Sequence, residues 1–332
     1  MAISKSAVAA LLERISATQP VFVPCKVSGG SKFVEFGEGV VPAFDMQNTK
    51  EPPKELFFPA TEKMYRWKRH EGELSIEQAA LADAPFTVFG VRPCDMASID
   101  RLDQVFLTKG FVDEFYEARR NAATVVAMAC PTADRTCFCS SMGVDSGAAP
   151  SADVLLTDCG DCYEAAAQTP RGEAAVRAWG DAVSAWAPAS APKRAACTLE
   201  VDAEGLAEKL PHLFENDLWE DVAASCLTCG TCTFVCPTCY CFDISQDVRA
   251  DEGSRFRCWD SCMFADYTQM AGGHNPRARK SARVRQRFMH KLCFFEQRYG
   301  TGLCVGCGRC MRECPASVDI TRIIERIGEA DV

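Results

Sequence analysis

The chain has 332 residues, 48% of them apolar, with 45 acidic against 36 basic side chains and a net charge of -9. That is enough chain for one large or two medium domains with packed cores, and the acidic balance argues against a partner that is nucleic acid or an anionic membrane surface. No stretch reaches the roughly 20 apolar residues of a membrane span, and 21 cysteines in so long a chain point to metal or redox chemistry in a reducing cytoplasm rather than to disulfide staples.

From the N-terminus, Ile3, Ala7, Leu11 and Ile15 recur at helical spacing, so residues 1–15 read as an amphipathic helix and not as a secretory signal. Strand-like runs follow at 21–23, 87–91, 123–128 and 154–156. They alternate with helical patterns around 75–82, 96–106 and 173–185, as in a sheet with crossover helices. An Ala/Pro/Ser-rich stretch at 182–196 reads as a linker or surface excursion. Residues 204–222 then form an amphipathic helical pattern with leucines and Trp219 on one face. The last helix, with Asp319 as N-cap, carries Ile320, Ile323, Ile324 and Ile327. The fold expected is an α/β N-terminal domain over 1–198, followed over 199–332 by an α+β domain with a helical lead-in.

One internal repeat carries the chemistry. "SCLTCGTCTFVCP" at 225–237 and "LCVGCGRCMRECP" at 303–315 share their spacing. Cys226, Cys229, Cys232 and Cys236 fall as C-x2-C-x2-C-x3-C before Pro237, and Cys304, Cys307, Cys310 and Cys314 repeat the run before Pro315. Closely spaced thiolates on a looping backbone can each reach one iron of a [4Fe-4S] cubane, and small residues (Gly230, Gly306, Gly308) let the loop turn tightly. The α+β domain over 199–332 is thus expected to be a ferredoxin-like dicluster domain with a large insert at 238–302 between the two runs. In two-cluster ferredoxins the fourth cysteine of each run serves the other cluster. One cluster is therefore expected on Cys226, Cys229, Cys232 and Cys314, and the other on Cys304, Cys307, Cys310 and Cys236. Structural zinc prefers two C-x2-C pairs and four ligands in all, which fits this spacing poorly.

Other cysteines are less distinctive. Cys94 and Cys130 each follow a strand, with Asp95 placed to cap the helix after Cys94, and the two cysteines would meet if those strands are parallel neighbours. With Cys137 and Cys139 they form a candidate third [4Fe-4S] site, although buried apolar cysteine is an equal reading on spacing alone. Cys239, Cys241, Cys258 and Cys262 lie in the insert and could bind a further cluster, supply alternative ligands or only pack. Cys159 and Cys162 make half a metal site, and Cys25, Cys197 and Cys293 have no evident partner. The 277–291 stretch holds Arg277, Arg279, Lys280, Arg283, Arg285, Arg287, His290 and Lys291. It reads equally as a solvated face or as cations that raise a cluster's potential and steer an acidic partner.

Taken together, "GVRPCD", "CFCSSMG", "CPTCYCFDI", "WDSCMF", "MAGGHNPR", "RQRFMHK" and "CVGCGRC" resemble the iron–sulfur component shared by anaerobic sulfite reductase and by cytoplasmic sulfhydrogenase, where it is the beta subunit. The resemblance runs through nearly the whole chain. It implies an electron relay in a multisubunit complex, with a flavoprotein reductase partner linked to NAD(P)H and a catalytic redox subunit. It favours the third cluster, because Cys94, Cys130, Cys137 and Cys139 sit on family motif positions. Cys239, Cys241 and Cys262 match as well and are implied to matter as additional ligands, whereas Cys258, Cys159 and Cys162 depart from the pattern. The sequence lacks a Gly-rich dinucleotide fingerprint, a P-loop, a G-x-S-x-G elbow and an H-E-x-x-H site, so an electron-transfer subunit without its own catalytic centre is the leading expectation. Two alternatives remain: an oxidoreductase in its own right with FAD in the N-terminal domain, and a zinc-bound scaffold.

Overall fold

The computed structural model describes residues 1–184 and 194–331. The linker expected at 182–196 falls largely on residues outside that range. Among the described residues the strands are β1 (Ala2–Ser4), β2 (Val21–Val27), β3 (Gly30–Glu35), β4 (Thr61–His70), β5 (Glu73–Gln78), β6 (Phe86–Val91), β7 (Ala123–Met128), β8 (Val154–Asp158), β9 (Cys162–Ala167), β10 (Phe242–Arg249) and β11 (Glu252–Trp259).

The N-terminal sheet runs in the order β1-β9-β8-β7-β6-β2-β3, with β2, β6, β7 and β8 parallel. Alternate residues of β7 divide between its two faces, as a pleated strand requires. Val126 and Met128 pack with Leu11, Leu12 and Trp179 beneath the helices Val8–Ser16 and Pro170–Ala178. Val125 and Ala127 pack with Met96, Ile99, Leu102 and Tyr116 beneath Pro93–Leu107 and Glu114–Ala122. The sheet is thereby covered on both sides, which is why its parallel strands are nearly all apolar.

A second sheet, ordered β10-β11-β4-β5, takes two strands from each side of residue 198. Its strands join the N-terminal part to the insert between the cysteine runs, and Arg257 on β11 pairs with Glu62 and Asp113. The third core gathers Leu206, Leu210, Trp219 and Val222 with Phe288, Ile320, Ile324 and Ile327, and it sits directly against the cysteine-rich loops.

Four local expectations are corrected. Residues 75–82 are not helical: 75–78 lie on β5, whose side chains are all exposed, and 79–82 are irregular. Glu71 (φ 49°) and Gly72 (φ 85°) form a two-residue turn, both with positive φ, and so pair β5 with β4 as a hairpin. Ile3 belongs to β1, and the first α-helix begins only at Val8. The 204–222 pattern is broken into Leu206–Lys209, a 3-10 turn at Leu210–Leu213 and Leu218–Ala224, interrupted by Pro211 and Asn216, although its apolar side chains are buried together. Asp95 does not cap its helix; the N-cap is Arg92, and Pro93 opens the first turn. Asp319 does cap the last helix, accepting from Thr321 N.

Candidate iron–sulfur sites

The two cysteine runs adopt the same backbone. Thr228 and Gly306, both two residues after the first cysteine, have φ of 53° and 62°. Gly230 and Gly308, each the cap of a short helix, sit at φ 78° and 75° and lead into Thr231–Phe234 and Arg309–Arg312. The repeat visible in the sequence is thus a repeat of left-handed turns that fold the backbone around the thiols.

Cys226, Cys229, Cys232 and Cys314 line one cavity together with Cys310, closed by Met263, Val284, Arg287 and Phe288. The last two cysteines of the second run thus both reach the cavity of the first run. Arg287 brings a positive charge to the wall of this cavity. It is buried, and its Nε has no hydrogen-bond partner. Burial would disfavour its charge, but Cys232, Cys310, Cys239 and Cys262 outweigh that cost. A buried guanidinium with a free donor facing thiols suits an anionic group held there.

Cys304, Cys307, Cys310 and Cys236 form the second set of mutual neighbours. Burial pushes the Cys304 thiol up to about 11 and Cys310 up to about 12. Cys236 is held well below the usual thiol range by hydrogen bonding with Cys239, by Lys291 and by Thr238. Lys291 Nζ donates to Cys236 Sγ at 3.2 Å and to Thr238 Oγ1 at 2.9 Å. Arg283, Arg287 and Lys291 recur at i, i+4 and i+8 and are all buried. Their helix continues from Lys280–Met289 into a π-turn at His290–Phe294. The basic stretch is thus divided: Arg287 and Lys291 face the thiols, while Arg279 is exposed. His290 bonds Tyr240 at 2.9 Å, and His274 is exposed.

β6 and β7 are parallel neighbours, and Cys94 and Cys130 lie just past their C-terminal ends. These two thiols line one cavity with Cys137, Cys139, Cys197 and Cys307. Cys197 had no sequence signal. It is returned to the site by Ala195, whose N–H donates to Cys130 O at 2.8 Å, and its Sγ lies 3.5 Å from Cys139 Sγ. This loop also interlocks with the second ferredoxin-type run. Phe138 N donates to Gly306 O at 2.9 Å. A Cβ at Gly306 would lie 2.5 Å from Cys139 Cα, and one at Gly308 would lie 2.4 Å from Thr136 Oγ1.

Of the remaining thiols, Cys239 faces Cys236, while Cys241 faces Cys262 and Tyr267. Cys159 and Cys162 are buried together against Ala2, Cys293 donates to Ala207 O, and Cys25 donates to Val41 O. Among the described residues no group of three or more His, Cys, Asp and Glu side chains converges on a position for a single metal ion. Thiols that ligate the separate corners of a cubane need no such common point.

These duplicated loops and thiol-lined cavities define the class: an iron–sulfur protein of electron transfer. Residues 225–318 match the 4Fe-4S dicluster domain family. The chain is also 32% identical over 325 residues to the sulfhydrogenase 2 subunit beta of Pyrococcus furiosus, covering 95% of this chain and 94% of that protein. It belongs to that family of sulfhydrogenase beta-type subunits, and is a 4Fe-4S electron-transfer subunit of oxidoreductase type. No solved structure matches the chain. Among the described residues no helix is long and apolar enough to cross a membrane.

Proposed function

We propose that the chain relays electrons, within a multisubunit complex, between a flavoprotein partner linked to NAD(P)H and a catalytic redox subunit. The name of the Pyrococcus relative, a subunit of a sulfhydrogenase, supports assembly with other chains. The ligands proposed are Cys226, Cys229, Cys232 and Cys314 for one [4Fe-4S] cluster, and Cys304, Cys307, Cys310 and Cys236 for a second. Cys94, Cys130, Cys137 and Cys139 are proposed for a third. When bound, such clusters carry one electron at a time without proton chemistry of their own.

The observation that carries this reading is the shared cavity of Cys226, Cys229, Cys232 and Cys314, with the unpaired Nε of Arg287 beside it. The chain's own residues then act as insulation and bias. Met263, Val284 and Phe288 form the apolar inner wall of the first site, with Cys229 at its exposed edge, and the cations Arg287 and Lys291 favour the more negative, reduced state of whatever the thiols hold. Cys307 lines the cavity of the N-terminal thiols as well as belonging to the second set, so the second and third sites share a wall. That contact supports a chain of sites from the N-terminal domain through the second run to the first.

The test is electron paramagnetic resonance of the anaerobically reduced protein. Cys226→Ala and Cys314→Ala should lose the same signal, and Cys304→Ala and Cys236→Ala should lose the other. If Cys314→Ala instead abolished the signal lost in Cys304→Ala, the crossed assignment would be wrong.

A further inference from the structure

Three thiols lie beside the ferredoxin-type loops without a place in either set of four: Cys239, Cys241 and Cys262. Three is one short of a cubane's thiolates, and no single-ion position exists among them in the described residues. Nor are they equivalent. Cys239 is engaged with Cys236, whereas Cys241 and Cys262 are engaged with each other.

The fold makes this pair. Cys241 immediately precedes β10, and Cys262 follows shortly after β11. Phe242 pairs with Trp259, and Asp260 N donates to Cys241 O at 2.9 Å, so the hairpin closes between the two cysteines. Ser261 Oγ accepts from Met263 N and turns the chain back, which brings Cys262 alongside Cys241. Tyr267 also hydrogen-bonds the Cys241 sulfur. Outward, both thiols line an open cleft with Tyr240, Tyr267, Arg277 and His290. Inward, Cys262 neighbours Cys232, and Cys241 neighbours Cys239. A dithiol thus stands between the cluster thiols and a solvent-accessible cleft carrying a cationic side chain.

We propose that Cys241 and Cys262 are a redox-active dithiol–disulfide pair that exchanges with small anionic disulfide compounds entering this cleft, with Arg277 receiving the substrate's negative charge. In the exchange, the Cys241 thiolate attacks one sulfur of the substrate, forming a mixed disulfide and releasing one thiolate, which takes up a proton. Cys262, giving up its proton, attacks the Cys241 sulfur and releases the second substrate thiol. The net change is one dithiol and one substrate disulfide converted to one protein disulfide and two thiols. Return to the dithiol takes two electrons and two protons. The electrons come from the electron-transfer function proposed above, on which this inference rests, and the protons come from the open cleft.

The experiment uses the iron-loaded, anaerobic full-length protein with dithiodiglycolate as substrate. Free thiols are then blocked and the peptides mapped by mass spectrometry, while iron and sulfide are counted in parallel. The expected result is a Cys241–Cys262 cross-link with iron and sulfide unchanged. Cys262→Ser should accumulate a mixed disulfide on Cys241, and Arg277→Gln should slow cross-linking about fivefold, as for loss of a partly exposed charge pair. The cationic disulfide cystamine should react more slowly than dithiodiglycolate. The proposal is overturned if both thiols stay unlinked while iron and sulfide are retained, or if Cys241→Ser lowers the iron and sulfide content, which would make Cys241 a ligand. An iron-free but folded wild-type protein would instead count against the cluster assignment and leave the cross-link to be read by itself.

Discussion

Asp95 and Arg309, 214 residues apart in sequence, meet as a fully buried two-pronged ion pair, with Arg309 donating to Asp95 Oδ1 at 2.6 Å and to Oδ2 at 2.9 Å. Arg309 Nε also donates to Thr49 O at 2.6 Å. Asp95 follows Cys94 in the N-terminal site, and Arg309 lies between Cys307 and Cys310. The pair fastens the helix of one thiol set to the loop of another.

Breaking that pair from one side leaves an uncompensated charge in the core. Asp95→Ala should destabilise the iron-loaded protein by about 3–5 kcal/mol, measured by denaturant unfolding under anaerobic conditions. Replacing both partners with apolar residues, Asp95→Leu with Arg309→Met, should cost much less. Equal losses for the single and double variants would show that the charge pairing is not what matters.

Arg287 and Lys291 supply buried positive charge to the two ferredoxin-type sets. Arg287→Met should lower the potential of the first set by on the order of 50–100 mV, and Lys291→Met that of the second, each with a smaller effect on the other. Redox titration followed by electron paramagnetic resonance separates them. Arg279→Met, on the exposed part of the same stretch, should change neither by a comparable amount.

The interlocked loops make Gly306 irreplaceable on two counts: a positive φ and a close approach to Phe138 and Cys139. Gly306→Ala should destabilise by roughly 2–4 kcal/mol and disturb the N-terminal site as well as the second set. Gly272, around which a Cβ would meet open space, provides the control: Gly272→Ala should leave both signals in place.

The repeat of eight cysteines was legible in the sequence because its spacing is local, and the left-handed turns at Gly230 and Gly308 follow that spacing. The final helix was equally plain, because four isoleucines and a capping aspartate repeat one message. Cys197 was not legible: it reaches Cys139 only through a backbone path that returns beside Cys130, and no local pattern encodes such a return. The hairpin of β4 and β5 was hidden because Ile76, Ala79 and Ala80 imitate a helical face, whereas the deciding signal was the Glu71-Gly72 turn. Asp95 suited a cap by position, but a buried arginine from the other end of the chain took its carboxylate.

His290 gives a pH dependence. Burial, with Lys291 and Arg277 adding to it, lowers its pKa from 6.5 to about 4. The unfolded chain therefore binds the proton more readily between those values. The contribution is present above pH 6.5 and is lost as pH falls towards 4, amounting to about 3 kcal/mol at most. His290→Gln should flatten the acid side of the stability profile relative to wild type, measured by hydrogen exchange of the 280–299 helix. An unchanged slope would show that the imidazole is already charged in the folded protein.

The most direct test of the account is a count of iron and acid-labile sulfide in the anaerobically purified chain. Three cubanes require about twelve of each per chain, and two require about eight. A value near twelve, falling to about eight in a Cys130→Ala variant, is the result expected. A folded protein holding zinc and no sulfide would contradict it.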